Sequence, residues 1–440
     1  MKLVVIGGTA AGLSAASKAK RLDPSIEVEV YEKSGYISYG ACGLPYFIGD
    51  LIDNPDDLIS LTPEKALKRG MTVKTKHEVT SIDRKEKTVT VKDLATGKSF
   101  VRSYDKLMLA TGARALRPDL VGPVHTLRTV EDGIEIKRQA YKARFVVIIG
   151  AGFLGLELSE ELTNLGVKVT LVELAERILP SLPEEYSAKV LSTLRENQIE
   201  VRTGTSVASV NADGTVTTSR GERLPADFVI AAIGVTPASE LAREAGLELG
   251  LKGSVKVNSR MQTSDRDIYA AGDVAETRHL VTGKPCYVPL GTHANKAGRV
   301  AGTNIGGSYA TFPGVLGSQV TKVFGLYIAM TGITAKELPG AVESSVTKED
   351  KASYYPGGKS NSINLVFDRG SGRLLGAQAI GGESIAGRVN VLAAAITAGM
   401  TVSELNDVDF VYSPSVAPVY DPLSIAASQA MRKVRPNPSL

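Results

Sequence analysis

The stretch Ser38-Tyr-Gly-Ala-Cys42-Gly-Leu-Pro-Tyr-Phe-Ile-Gly-Asp50 holds one of only two cysteines in 440 residues. The thiolate, not the thiol, is the nucleophile and electron donor, so a redox role for Cys42 requires a depressed pKa. A helix starting just after Cys42 would supply a favourable field, and Ser38, four residues earlier, is placed to donate a hydrogen bond to the sulfur. The residue five positions after Cys42 is Phe47, so an internal Cys-x4-Cys dithiol at this site is excluded. Cys286, in Thr282-Gly-Lys-Pro-Cys-Tyr-Val-Pro289, lacks a comparable setting and reads as packing.

Two segments could position such a thiol against nucleotides. In the first, the apolar run Lys2 to Ile6 enters a turn of Gly7, Gly8, Thr9, Ala10, Ala11 and Gly12, followed by an alanine-rich helix and a strand ending at Glu32 and Lys33. This βαβ pattern places an acid 20 residues after Gly12, where dinucleotide folds hold a ribose hydroxyl. It departs from G-x-G-x-x-G because Thr9 stands at the second glycine. The second copy is complete: Gly150, Gly152 and Gly155 interrupt an apolar strand and a helix that starts near Phe153 and Leu154, and the next strand ends at Glu173. Gly152 would let amides approach a pyrophosphate at the helix N-terminus. Glu173 favours a free 2′-hydroxyl, hence NADH over NADPH, with Arg177 nearby as the contrary feature. Strands entering turns at Ala110-Thr111-Gly112 and at Gly234 would close the two units, and Gly272-Asp273 puts a further carboxylate beyond a short strand.

These motifs, in this order, resemble the two-dinucleotide flavoprotein disulfide reductases, and the resemblance spans essentially the whole chain. It implies an α/β fold of two Rossmann-like domains with a C-terminal α+β dimerisation domain. The expected division is 1–113 with 241–310 for FAD, 114–240 for NAD(P)H and 311–440 for the interface. Asp273 would hydrogen-bond the flavin ribityl chain. The Ser38 to Pro45 stretch resembles the single-cysteine branch, closest to coenzyme A disulfide reductases. Peroxidases and many oxidases of that branch carry a histidine in the first glycine turn, where this chain has Ala10. The implied activity is reduction of coenzyme A disulfide through a Cys42 mixed disulfide. Persulfide or polysulfide reduction, or water-forming NADH oxidation through a Cys42 sulfenic acid, are the alternatives.

Coenzyme A brings phosphates, which need cations. Ser14, Lys18 and Arg21 fall at i, i+4 and i+7 on one helix face; by resemblance that face contacts the coenzyme A nucleotide, with Arg69 and His293 as further substrate-binding candidates. The C-terminal tail has no histidine to serve as acid, and the resemblance assigns Tyr412 and Tyr354 to reach the cysteine of a second subunit in a homodimer with shared active sites.

Composition agrees with a soluble globular protein rich in tight turns, of a length for several domains: hydrophobic residues at 43%, charged at 22%, 44 glycines and a net charge of +4. So small a charge gives no electrostatic footprint for nucleic acid. The chain opens on a strand with no basic leader and no apolar run near membrane length, so a cytoplasmic, non-membrane protein is expected, and no metal site.

Overall fold

The computed structural model describes residues 1–120, 122–211 and 213–435; the last five residues assigned to the interface domain lie outside them. Short apolar runs, buried on both faces, form parallel sheets. Strands Ile268–Ala270, Lys106–Leu109, Lys2–Ile6, Glu27–Tyr31 and Met71–Lys74, in that spatial order, make the first, five-stranded sheet. The second, also five-stranded and parallel, has the order Glu200–Arg202, Lys168–Val172, Phe145–Ile149, Phe228–Ala231, His125–Thr126. The chain leaves the first sheet after Leu109, builds the second, and regains the first at Ile268. On the way out Ala113–Ala115 pairs antiparallel with the returning Val235–Pro237, and Thr111 Oγ1 donates to the Ala238 carbonyl at 2.6 Å.

The C-terminal third is a five-stranded antiparallel sheet of Gln319–Val323, Leu326–Gly332, Leu374–Gly381, Ser360–Asp368 and Ala341–Glu349, packed by helices Ser384–Ala398 and Pro422–Met431. The α/β class and its third, α+β unit are as expected. Two three-stranded antiparallel sheets are additional: His77–Asp83 with Thr88–Asp93 and Ser99–Ser103, and Val207–Val210 with Thr215–Thr218 and Arg223–Pro225.

Two long helices share the first domain: Ala10–Leu22 and Gly291–Ile305. They run parallel with backbones nearly touching, since a β-carbon at Gly298 would fall 2.4 Å from the Ala11 carbonyl oxygen and one at Gly302 would fall 2.3 Å from that of Ala15. Only glycine permits this approach. Gly298→Ala should therefore lower the midpoint of thermal unfolding, at a cost of about 1–3 kcal/mol of overpacking. Gly291→Ala on the same helix, where nothing lies within 4 Å of the new carbon, should leave the midpoint within about 0.5 kcal/mol of wild type.

Candidate active site

The two glycine turns are built alike. Gly7 and Gly150 adopt φ +105 and +103, and a β-carbon at either would meet a carbonyl, Ala110 at 2.1 Å or Ala232 at 2.7 Å. Each turn is held by the acid that ends the neighbouring strand. Glu32 accepts from the Gly8 amide at 2.8 Å and from Ser34 at 2.8 Å. Glu173 accepts from the Ala151 amide at 2.7 Å and from Ala175 at 2.8 Å. Both carboxylates thus stand at the mouths of their turns, with lone pairs left for a ribose hydroxyl. Lys33, next to Glu32, is exposed. Helices Ala10–Leu22 and Phe153–Asn164 start at the two turns and aim their free amides outward. Gly152 has nothing within 4 Å of its missing β-carbon, leaving room for a pyrophosphate. Thr9, at φ −109, needs no glycine conformation. Both turns therefore fit dinucleotides, and Gly155, whose β-carbon would lie 2.0 Å from the Gly150 oxygen, supplies the close helix-to-strand packing.

Gly112 and Gly234, at φ +69 and +101, follow the strands Lys106–Leu109 and Phe228–Ala231. Gly272, at φ +82, abuts Ala11 and Ala294 at the starts of both long helices of the first domain. The adjacent Asp273 carboxylate is ion-paired to Arg128, a residue that no motif in the sequence marks. Arg128 comes from the segment before helix Val130–Ala140, so it reaches the turn at Gly272 and Asp273 from far along the chain. His293 lines the hollow that also exposes Gly272 and Asp273, and burial lowers its pKa.

Cys42 lies in a single 3-10 turn, Ala41–Gly43, ahead of the short helix Leu44–Ile48. Leu44, Phe47 and Ile48 are buried in one cluster with Val146, Ile148 and Leu171 of the second sheet and with Val323 and Ile328 of the third. Cys42 itself stays exposed. Protein nevertheless crowds its sulfur: desolvation first, then the Glu157 carboxylate, push the thiol above its ordinary pKa, with Asp273 adding to the rise and Arg128 opposing it. This overturns the expected depressed thiol. A five-residue helix has little dipole to offer, and the charge that acts most strongly on the thiol is an acid, Glu157. The Ser38 expectation also fails, because no hydrogen bond joins Ser38 to Cys42 among the described residues. Ser38 sits in a left-handed conformation, φ +47, before the helical turn begins, and its amide donates to Gly8 O at 2.9 Å, tethering the cysteine loop to the first glycine turn. Cys286 is partly buried with its thiol pushed up to about 11, chiefly by desolvation, which agrees with packing.

Helix Phe153–Asn164 presents three acids at the seam. Glu157 accepts from Thr321 Oγ1 at 2.8 Å, and Glu160 pairs with Lys322 at 2.6 Å. Glu161 is 1% exposed, both its oxygens lack a hydrogen-bond partner, and it presses on Gly49 at the end of the Cys42 helix. Sequence periodicity hid it, since an acid in that helix reads as solvated surface.

Ser14, Lys18 and Arg21 share one face of Ala10–Leu22 as spaced, and Ser14 Oγ donates to Asn295 at 2.8 Å. Arg69 caps helix Pro63–Lys68, and the next residue, Gly70, lies against the Lys20 side chain near the same helix end. Tyr354 and Tyr412 meet with their hydroxyls 3.2 Å apart, and that hydrogen bond raises the Tyr412 pKa. Their neighbours in sequence include exposed apolar side chains: Tyr355, Val411, Val416, Val419 and Tyr420. Among the described residues, no helix is long and apolar enough to cross a membrane.

Comparison with known proteins places this geometry. Residues 1–298 match the pyridine nucleotide-disulphide oxidoreductase family, and residues 318–422 match that family's dimerisation domain. A coenzyme A polysulfide/persulfide reductase of Pyrococcus horikoshii is 37% identical over 97% of each chain. A coenzyme A disulfide reductase of Staphylococcus haemolyticus is 33% identical over 94% of this chain and 95% of that one. The solved structure of Bacillus anthracis CoADR-RHD superposes with a TM-score of 0.96 at 35% identity, over 98% of this chain and 80% of that one.

Glu161 yields a pH test. Desolvation foremost, then the neighbouring Glu160, push its carboxyl up to about 7, whereas the unfolded chain releases this proton near pH 4.3. The folded state binds more protons between those values, so this side chain makes stability fall as pH rises through the window. Glu161→Gln should therefore be more stable than wild type near pH 8, by about 2 kcal/mol, with the gap closing below about pH 5. Thermal melts at the two pH values check this.

Proposed function

The chain belongs to the pyridine nucleotide-disulphide oxidoreductases, and on that footing we propose that it is an FAD-containing, NAD(P)H-dependent reductase of coenzyme A disulfide. The observation that carries this reading is Cys42: exposed, without a second cysteine in reach, and held where the two nucleotide domains meet, with Ser14, Lys18 and Arg21 on the helix that starts at the first glycine turn. Glu32, Asp273 and the turn at Gly7 would hold FAD; Glu173 and the turn at Gly150 would hold the nicotinamide nucleotide. Those groups supply the two-electron reducing chemistry.

The chain supplies the rest. Cys42 attacks one sulfur of the substrate, the sulfur–sulfur bond breaks, and a Cys42–coenzyme A mixed disulfide forms as one coenzyme A thiolate leaves. Tyr412 and Tyr354 of a second copy would give that thiolate its proton, since a phenol stays protonated at neutral pH. Reduction of the mixed disulfide by two electrons releases the second coenzyme A thiol and returns the Cys42 thiolate. The exposed apolar side chains in the segments that carry the tyrosine pair, and the dimerisation domain, support a homodimer whose active sites are shared. NADH is the favoured donor, because Glu173 faces the ribose position and Arg177 is turned away, donating to Pro180 O at 3.0 Å and Leu182 O at 3.2 Å. A persulfide of coenzyme A would use the same cations and the same cysteine. Ala10 gives no support to the oxidase reading.

Mass spectrometry of the oxidised protein should find coenzyme A on Cys42. Cys42→Ser should still let NADH bleach the flavin but lose disulfide turnover by at least about a thousandfold; retained turnover ends the proposal. Tyr412→Phe should slow kcat by about ten- to a hundredfold while the adduct still forms. NADH should exceed NADPH in kcat/KM, and Glu173→Ala should narrow that ratio.

A further inference from the structure

The tyrosine pair stands on irregular chain. Tyr354 lies in residues 350–359, between strands Ala341–Glu349 and Ser360–Asp368, and Tyr412 in residues 407–421, between helices Val402–Asn406 and Pro422–Met431. Their side chains are 74% and 49% exposed. Surrounding side chains therefore do little to hold the two hydroxyls 3.2 Å apart, and the contact depends on how the two segments are fastened.

Both are fastened to one face of helix Ser384–Ala398. Ser384 and Arg388, one turn apart, share that face. Ser384 Oγ donates to Asp350 at 2.9 Å, and Asp350 also accepts from the Lys359 amide at 2.7 Å, so the Tyr354 segment is closed at its base and tied to the helix start. Arg388 holds Asp421, the last residue of the Tyr412 segment, through Nη2 at 2.8 Å and Nε at 3.2 Å, and both side chains are buried. Midway, the Ala352 amide donates to the Pro414 carbonyl at 3.3 Å, joining one segment to the other. Asp421 caps helix Pro422–Met431 through the Leu423 amide at 2.8 Å, a bond that does not involve the arginine. The ion pair is therefore not needed to start that helix, and its guanidinium fork fixes direction as well as distance.

We propose that Arg388 and Ser384 are positioning residues for the tyrosine pair: one helix face sets the register of two irregular segments, and thereby brings Tyr412 to the angle at which it protonates a departing thiolate. The inference rests on the reading of that pair as the proton donor. A buried ion pair adds little net stability over apolar side chains of similar volume, so what the arginine contributes is one orientation of the segment. Without it the phenol samples many, and kcat falls while the steps that need only Cys42 and the nucleotide sites do not.

The test is a mutant cycle on the flavin-loaded protein. Arg388→Met alone leaves Asp421 buried without its cation, which can unfold the segment, so the decisive variant joins Arg388→Met with Asp421→Asn, removing both charges and keeping a capping side chain. This double variant should melt near the wild-type temperature, let NADH bleach the flavin at the wild-type rate and form the coenzyme A adduct on Cys42, yet lose about tenfold in kcat for disulfide turnover with KM nearly unchanged. Arg388→Lys should keep part of what the double variant loses, and Ser384→Ala should act in the same direction from the Tyr354 side. Built into a chain carrying Tyr354→Phe and Tyr412→Phe, the double change should cost almost nothing further, because the hydroxyls it positions are gone. If its loss persists in full without those hydroxyls, or if flavin bleaching slows as much as turnover, Arg388 acts through the fold at large and the positioning role is overturned. If the double variant turns over like wild type while Tyr412→Phe is slow, the proton-donor reading stands and the positioning role alone falls. If Tyr412→Phe is itself as fast as wild type, the proton-donor reading fails and the positioning role fails with it.

Discussion

The burial of Leu44, Phe47 and Ile48 is the constraint on which the site depends. These three side chains follow Cys42 in sequence, yet their core is that of the second sheet and the start of the third, not that of the first sheet from which the chain has just come. Burying three such side chains contributes several kcal/mol, of order 5. The cysteine is thereby pinned to a domain it is not part of. Lys137 reinforces the arrangement by donating to Phe47 O at 2.8 Å and pairing with Asp50 at 2.7 Å. Meanwhile the Ser38 amide ties the other end of the same loop to Gly8. Cys42 hangs between two anchors, one on each nucleotide domain, and the paired segments Ala113–Ala115 and Val235–Pro237 keep those domains in register.

Much of this was legible in the order of residues, for a physical reason: a dinucleotide turn is a local object. Gly7 and Gly150 need positive φ within a few residues of a buried strand, and Glu32 and Glu173 need only one crossover to return. Spacing along the chain encodes all of that. The meeting of Tyr354 with Tyr412, far apart in sequence, was expected from the resemblance and not from spacing. What spacing could not encode is which side chains from distant segments meet. Arg128 at Asp273, Glu157 beside Cys42 and Glu161 against Gly49 are tertiary encounters, each joining an unremarkable residue to a marked one. The expected bond from Ser38 and the expected low thiol pKa failed as well. The first took Ser38, four residues before the cysteine, to lie within reach of it, whereas Ser38 is left-handed and the chain turns helical only at Ala41; the second relied on a helix after Cys42 that spans only Leu44–Ile48.

Burial first, and the Glu157 carboxylate second, make the thiol hard to ionise in the protein itself. Glu157, Glu160 and Glu161 lie on one helix, and Lys322 is the cation paired with them. Their field reaches Tyr46 as well, whose phenol is held up to about 12 by burial and then by these carboxylates. Negative charge arriving on Cys42 therefore meets opposition from one side and support from Arg128 on the other. That asymmetry directs where charge can rest during turnover.

Glu173 shows how closely recognition and architecture are bound together here. The carboxylate proposed to meet the ribose also closes the glycine turn through the Ala151 amide and secures the strand exit through Ala175. A lineage exchanging one nicotinamide nucleotide for the other could not simply discard this acid, because the turn would lose its acceptor at the same step. It would have to acquire a new partner for the amide beforehand, or pass through a less stable ancestor. A donor preference set by this acid would thus be held in place by folding as much as by metabolism, and Glu32, built into the first turn in the same way, would carry the same historical inertia.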